Sequence, residues 1–260
     1  MAPELRTALV TGASKGVGRG IAIGLAEAGW SVGINYFNDR EGAEATASSI
    51  RDGGGAAWIL QADVGDSEQV SGMFDAFMKQ AGHLDLLVNN SGVQTWAPLL
   101  ELKEKDWDRT IRTNLKGTFL CTQRAAQIMK DAGGGVIINI GSGANKAPFP
   151  SLVDYCASKG GIETFTSVAA VELGRYGIRV NCVAPGCIEI ERTREESPDY
   201  EKTWGPLTPL GRTGTVEDVA KAVAFLAGAE SEFIAGQTLY VDGGLWSQVP
   251  WPYRERDEDD

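Results

Sequence analysis

The segment YCASK places Tyr155 and Lys159 four residues apart. On a helix that spacing sets a phenol and an ammonium one turn apart on the same face. A free tyrosine has a pKa of about 10 and is a poor base at neutral pH. A cation held beside it stabilises the phenolate and brings acid–base work within reach. Exposed helices also carry such pairs with no chemical role, so the rest of the chain must decide between the two.

A second group of residues suits phosphate binding. In TALVTGASKGVGRG, Gly12, Gly16 and Gly18 stand where an apolar run gives way to a helical one. Glycines there permit a tight turn, let backbone N–H groups approach a pyrophosphate, and let helix and strand pack closely. The helix N-terminus then faces the phosphates. The spacing is GxxxGxG rather than the commoner GxGxxG, and 33 glycines make chance motifs expected, so the position after the first apolar run is what raises it. Asp63 in ADV follows the third apolar run, placed to accept a hydrogen bond from an adenine amino group. NNSG, Asn89 to Gly92, follows the fourth, at the edge where open α/β sheets bind ligands. Both segments are also ordinary turn formers.

Composition removes several other chemistries. The 260 residues carry a net charge of −11 and no basic cluster, which argues against a nucleic-acid surface. Cys121, Cys156, Cys182 and Cys187 show no CxxC spacing, so buried free thiols in a reducing cytoplasm are expected rather than a metal or redox site. A lone histidine, His83, rules out a zinc site of several histidines. With no GxSxG elbow to support a hydrolase, it reads as structural. No apolar run approaches the ~20 residues of a membrane span. MAPELRTALVTG has no long apolar stretch of the signal-peptide kind, so a cytoplasmic protein is expected. The closing RERDEDD reads as a solvated acidic end.

These residues need elements to hold them. Short apolar runs at 7–12, 31–36, 56–61, 84–90, 135–140, 178–184 and 238–242 read as strands. Several are apolar throughout, as in parallel strands buried on both faces. Amphipathic segments near 17–29, 40–52, 66–81, 104–130, 152–175 and 215–227 read as helices. Such alternation predicts an α/β fold, a seven-stranded parallel sheet with helices on both faces. With 43% hydrophobic residues and no Pro/Gly/Ser-rich linker, 1–260 reads as a single domain. One region breaks the rhythm. Residues 187–210, CIEIERTREESPDYEKTWGPLTPL, are charged and aperiodic, as expected of an irregular lid or substrate loop.

Together the motifs resemble the short-chain dehydrogenase/reductase family, a doubly wound Rossmann-type fold. The resemblance runs from Thr7 to near Gly244. It comprises TGxxxGxG at Thr11 to Gly18, NNxG at Asn89 to Gly92, Asn114 in TNLKG, Ser142 in NIGSG, YxxxK at 155–159, NCVAPG at 181–186 and the late GQTLYVDGG. The family implies a catalytic tetrad of Asn114, Ser142, Tyr155 and Lys159. Tyr155 would exchange a proton with the substrate hydroxyl, and Ser142 would bond the substrate oxygen. Lys159 would support the phenolate and bind the nicotinamide ribose. Asn114 would hold a relay water. The implied cofactor contacts are Gly12, Ser14, Lys15, Gly16, Val17, Gly18, Phe37, Asp63, Val64, Asn90, Ser91, Gly92, Tyr155, Lys159, Pro185, Gly186 and Ile188.

The chain departs from the family pattern at three places. Ser91 replaces an alanine, Gly141 replaces a serine before Ser142, and Ile190 stands where many relatives have a carboxamide-binding threonine. Thr193 comes three residues late, so that role passes to no residue. Phe37, at the end of the second strand, is neither acidic nor basic. Lys15 resembles the basic residue of members that prefer the phosphorylated cofactor, while Asp39 and Arg40 pull in opposite directions. NADP(H) is therefore favoured, with NAD(H) use open. Gln94, Trp96, Asn145 and Trp204 are candidate pocket residues, a mixed polar and aromatic set that suits a sugar or polyol such as glucose. A 3-oxoacyl or other small-ketone reductase remains an alternative, as does a non-catalytic nucleotide sensor. The tail 245–260, with Trp246, Trp251 and Tyr253, reads as substrate wall or subunit contact in a homotetramer.

Overall fold

A computed structural model describes residues 6–248. Seven parallel strands form one sheet: β1 (Thr7–Val10), β2 (Ser31–Tyr36), β3 (Ala57–Gln61), β4 (Leu86–Asn89), β5 (Gly135–Ile140), β6 (Ile178–Pro185) and β7 (Thr238–Val241). Their spatial order is β3-β2-β1-β4-β5-β6-β7. In register, Ala8 lies beside Val32 on β2 and Leu86 on β4. The order turns back between β1 and β4. Loops leaving those strands therefore diverge and open a crevice at their carboxyl ends.

The apolar strands serve two layers at once. Successive side chains point to opposite faces. Ala8, Val10, Leu86, Val88 and Ile138 pack under α1 (Gly16–Glu27), α2 (Arg40–Asp52) and α9 (Val216–Ala227). Leu9, Leu87 and Ile137 pack against α3 (Ser67–Ala81), α5 (Gly117–Ala132) and α6 (Val153–Leu173). Small residues let large ones in. A side chain at Gly33 would stand 2.6 Å from the Phe77 ring, which in turn meets Trp58 edge-on at 6.0 Å. Buried amides also cross the sheet: Asn89 donates to Asn139 (2.8 Å) and Thr122 (2.9 Å), and Asn139 donates to Thr166 (2.9 Å). Paired in this way, these polar groups escape the cost of bare burial.

Two expectations are refined. The segment expected as one helix over 104–130 is divided into α4 (Glu104–Thr110), a π-helical turn (Ile111–Lys116) and α5. Such turns insert a residue into the α-helical ladder and often mark functional sites. The 187–210 insert is less irregular than its composition suggests. It forms α7 (Glu191–Glu196), α8 (Tyr200–Trp204) and a 3-10 turn, Gly205–Leu207. Helices this short cannot display a hydrophobic period. Of the tail, Leu245–Ser247 forms a further 3-10 turn, while Trp251 and Tyr253 lie outside the described residues. Among the described residues no helix is long and apolar enough to cross a membrane.

Burial pushes the Cys121 thiol up to about 12, and Cys182 and Cys187 to about 11. At pH 8 a thiol with a pKa of 11 is thiolate in roughly one molecule in a thousand, and thiolate is the reactive form. A disulfide reagent at pH 8 is therefore expected to label half-buried Cys156 quickly, and the other three cysteines only after denaturation. Three or four fast thiols in the native protein would contradict this packing.

Candidate active site

The turn between β1 and α1 is held by its carbonyls. Asn90 Nδ2 donates to the carbonyls of Thr11 (2.9 Å) and Gly12 (3.0 Å). Thr46 Oγ1 donates to Ala13 O (3.1 Å), and Arg19 Nη2 to Ser14 O (2.6 Å). On the strand side, Asn35 Oδ1 accepts from Gly12 N at 3.1 Å. With the carbonyls engaged by side chains, the first amides of α1 are left to face outward, as a helix N-terminus must. Gly12 and Gly16 hold φ of +61° and +56°, and a side chain on Gly18 would stand 2.3 Å from Gly12 O. This cradle fits the pyrophosphate of a dinucleotide. It already takes an anion: Glu191 of α7 accepts from Gly16 N (3.2 Å) and Arg19 Nη1 (3.1 Å).

The other cofactor candidates line up along the same edge. Ser14 is buried, Lys15 is exposed, and Val17 packs against the core. Ser91 N and Asn90 N both donate to Thr11 Oγ1, and a Cβ on Gly12 would lie 2.9 Å from Ser91 Cα. Asn90 thus braces the turn with its side chain. Phe37 is 58% exposed, and Val64 is buried. Asp63 is occupied within the protein, accepting from Gly65 N (2.9 Å) and Arg112 Nη1 (2.7 Å). Asp39 stands beside the turn. The Gly42 amide lowers its pKa most, helped by the Ser14 hydroxyl and the charges of Lys15 and Arg19, against the opposing pull of burial. Ile188 is buried, its side chain placed where a Cβ on Gly214 would clash at 2.5 Å.

The four tetrad candidates converge at the ends of β5 and α6. Lys159 is buried, and its Nζ donates to Ile140 O at 2.6 Å while standing 5.6 Å from the Tyr155 ring centre. Two residues past Ile140, Ser142 Oγ accepts from Ala144 N at 3.2 Å. Asn114 sits on the π turn, fully buried. Its carboxamide accepts from Val93 N (2.8 Å) and donates to Val93 O (2.9 Å) and Ser158 Oγ (2.9 Å). Ser158 Oγ in turn donates to Tyr155 O at 2.7 Å. Asp154, also fully buried, accepts from Tyr155 N (2.7 Å) and Thr110 Oγ1 (2.6 Å), pinning the first turn of α6 to α4.

Ser142 and Tyr155 open onto a cavity of about 630 Å³ that also touches Pro185 and Gly186. Gln94, Trp96 and Trp204 line it, as the sequence predicts. Asn145 is turned elsewhere: its amide donates to Glu163 and, at 3.3 Å, to Tyr240. Trp246, expected in the tail as substrate wall or subunit contact, also lines it, whereas sequence reasoning left out Phe149, Arg192 and Tyr200, which line the cavity as well. Phe149 meets Trp204 and Trp246 edge-on, at 5.8 and 5.4 Å. The Tyr200 phenol, raised above the usual range chiefly by burial, bonds the Cys187 thiol. Trp246 is delivered by the tail, where Asp242 accepts from Gly244 N (3.0 Å) and Trp246 N (3.0 Å). Among the described residues its buried Nε1 has no partner. A second hollow of about 650 Å³, between α1, α9 and the insert, holds none of the tetrad.

A parallel sheet in this order, a glycine cradle at its switch point and a Tyr–Lys pair over a cavity define a nucleotide-dependent oxidoreductase of the Rossmann type. The chain belongs to the short-chain dehydrogenase/reductase family. A family profile described as Enoyl-(Acyl carrier protein) reductase matches residues 12–246. The chain is 42% identical over 241 residues to the 3-oxoacyl-acyl-carrier-protein reductase FabG of Staphylococcus aureus, covering 93% of this chain and 98% of that one. It is 40% identical over 243 residues to 3beta-hydroxysteroid dehydrogenase 1 of Eggerthella lenta, covering 92% and 93%. Among solved structures, a gluconate 5-dehydrogenase of Burkholderia cenocepacia J2315 in complex with NADP and tartrate superposes with a TM-score of 0.88 at 41% identity, covering 94% and 96%.

Glu191 stands where an incoming phosphate would compete for the Gly16 amide. Glu191→Gln is expected to tighten cofactor binding about two- to fivefold, the scale of one charge at a helix end. Tryptophan fluorescence titration with NADP and NAD reads it; unchanged or weaker binding would show that the carboxylate does not compete.

Proposed function

We propose that this oxidoreductase interconverts a secondary alcohol and a ketone of sugar or polyol type, using NADP(H) in preference to NAD(H). One observation carries the reading. Ser142 and Tyr155 share a cavity whose walls are aromatic and whose rim carries Gln94, Arg192 and Glu196. Aromatic faces with planar polar side chains beside them suit the alternating C–H and O–H surfaces of such a compound.

The chain's own residues divide the work. The glycine cradle, Asp39 and Lys15 would hold the nucleotide, with Lys159 at its nicotinamide ribose. Bound nicotinamide supplies the hydride acceptor in oxidation and the hydride donor in reduction. Ser142 Oγ bonds the substrate oxygen and holds it toward Tyr155. The Tyr155 phenol oxygen takes the hydroxyl proton as the substrate C–H bond breaks, and returns it in the reverse direction. Lys159 keeps a positive charge beside the ring, 5.6 Å from its centre. Asn114, its side chain engaged by Val93 and Ser158, fixes the loop after β4 and the first turn of α6 relative to one another. Exposed Val168 and Val171 on α6 support assembly with further copies, which this reading takes as a cytoplasmic homotetramer.

A second reading, a 3-oxoacyl reductase, is favoured by the 42% identity to the staphylococcal enzyme. The net charge of −11 weighs against it, since an acidic carrier protein would meet an acidic surface. The deciding assay follows nicotinamide absorbance with sugars and polyols, then with 3-oxoacyl esters and small diketones. Tyr155→Phe is expected to keep cofactor binding and lose at least 100-fold in kcat, the scale of general acid–base catalysis. Full turnover by that variant would remove Tyr155 from the mechanism, and turnover of 3-oxoacyl esters alone would replace the substrate class.

Cofactor choice has its own test. Lys15 supplies a cation for a 2′-phosphate, and the ionised Asp39 beside it opposes one. Asp39→Asn keeps an acceptor for the Gly42 amide and is expected to raise the kcat/KM ratio of NADP over NAD several-fold. A fall in that ratio would place the phosphate elsewhere.

A further inference from the structure

We propose that the substrate carries a carboxylate bound by Arg192, so that the pocket selects small hydroxy acids and their keto acids over neutral sugars and polyols. This rests on the oxidoreductase reading and narrows its substrate class, from sugars and polyols in general to the acids built on such skeletons. Arg192, on the insert helix α7, lines the same cavity as Ser142 and Tyr155. Among the described residues it is the only lysine or arginine that does so. A cation at the rim of the cavity is conspicuous in a chain of net charge −11.

The guanidinium is positioned but not neutralised. With the Gln94 amide oriented by its neighbours, Gln94 Oε1 accepts from Trp96 Nε1 at 2.9 Å and from Arg192 Nη1 at 3.2 Å. A neutral acceptor holds the side chain without cancelling its charge. The nearest carboxylate, Glu196, stands 3.9 Å from Arg192 Nε, beyond hydrogen-bond range, and both side chains are about half exposed (49% and 51%). A pair so loose and so exposed contributes little, and a substrate carboxylate can replace it. Arginine presents five N–H donors in a planar fork that matches a carboxylate with two parallel bonds.

The surroundings favour the exchange. Phe149, Trp204 and Trp246 form one wall of edge-to-face rings. Such a wall lowers the local dielectric and strengthens a charged hydrogen bond made against it. It also gives the carbon skeleton an apolar surface between the charge and the reacting carbon. The cavity, about 630 Å³, lies within the range of small-molecule sites. One fork matches one carboxylate. A phosphate ester, with its greater charge, would meet Glu196 at the same rim.

The test compares compounds of one carbon skeleton: hydroxy acids of four to six carbons, the polyols lacking the acid group, and the sugar phosphates. Wild-type enzyme, Arg192→Met, Arg192→Lys, Glu196→Gln and Tyr155→Phe are each assayed for kcat and KM, with cofactor affinity as the check on folding. Wild type is expected to prefer the acid. Arg192→Met is expected to lower the acid-to-polyol ratio of kcat/KM roughly 10- to 100-fold, through KM, as loss of a charged hydrogen bond would. Arg192→Lys should restore part of it, and Glu196→Gln should lower KM for the acid. Tyr155-dependent turnover of polyols with no advantage for the acids, or a preference for phosphates, would overturn the carboxylate site and leave the oxidoreductase reading intact. Turnover independent of Tyr155 would overturn both.

Discussion

One hydrogen bond joins the two halves of the chemistry. Lys159 Nζ donates to Ile140 O at 2.6 Å, tying the middle of α6 to the last residue of β5. β5 leads into Ser142, and the turn of α6 before Lys159 carries Tyr155. A buried ammonium must find partners, because an unpaired charge away from water is costly. Here the requirement doubles as alignment: the carbonyl that satisfies the lysine sets the helix against the strand. Asp154 adds a second pin, joining the start of α6 to Thr110. The buried amide pair Asn89–Asn139 keeps β4 and β5 in step below, so the loops above them leave from fixed positions.

The cofactor side follows a similar logic, with the roles of donor and acceptor reversed. A phosphate cradle needs outward N–H groups, and that requires its carbonyls to be satisfied from within. The donors come from three places in the chain: Asn90, Thr46 and Arg19. The cradle is therefore a tertiary construction as much as a glycine motif. The insert joins the two sides, with Glu191 on the cradle and Arg192, the next residue, on the substrate cavity.

Much of this was legible in the residues themselves. The seven strands appear where apolar runs stand between turn formers, within about two residues at each end. Tyr155 with Lys159, Ser142 and the glycines announce themselves by type and spacing. What the sequence hides is where side chains are spent. Asn114, Asn90 and Asp63 look available in a string of letters, yet each is engaged by protein groups. The π turn under Asn114 leaves no trace in composition, since every residue of IRTNLK is tolerated in an α-helix. Asn145 is drawn away by Glu163 and Tyr240, contacts 18 and 95 residues off. Arg192 is one charge among many in the insert, and only the fold sets it at the rim of the cavity. Asn35, a buried amide inside the apolar SVGINY, is spent in the same way, on Gly12 N and on the Leu60 and Ala62 carbonyls.

Trp246 and Gly143 constrain one another. A Cβ at 143 would stand 1.7 Å from the indole Nε1, so the ring would have to shift to admit one. While the ring keeps its present place, position 143 favours glycine. The two sites therefore behave as one heritable unit, although 103 positions apart in the chain. A lineage that keeps the tryptophan in this place is pressed to keep the glycine, and alanine at 143 calls for a moved or smaller side chain at 246. For anyone reshaping the enzyme, the ring must change first. That same step enlarges the space beside Ser142, so altered selectivity and a new freedom in the loop after β5 would be inherited together.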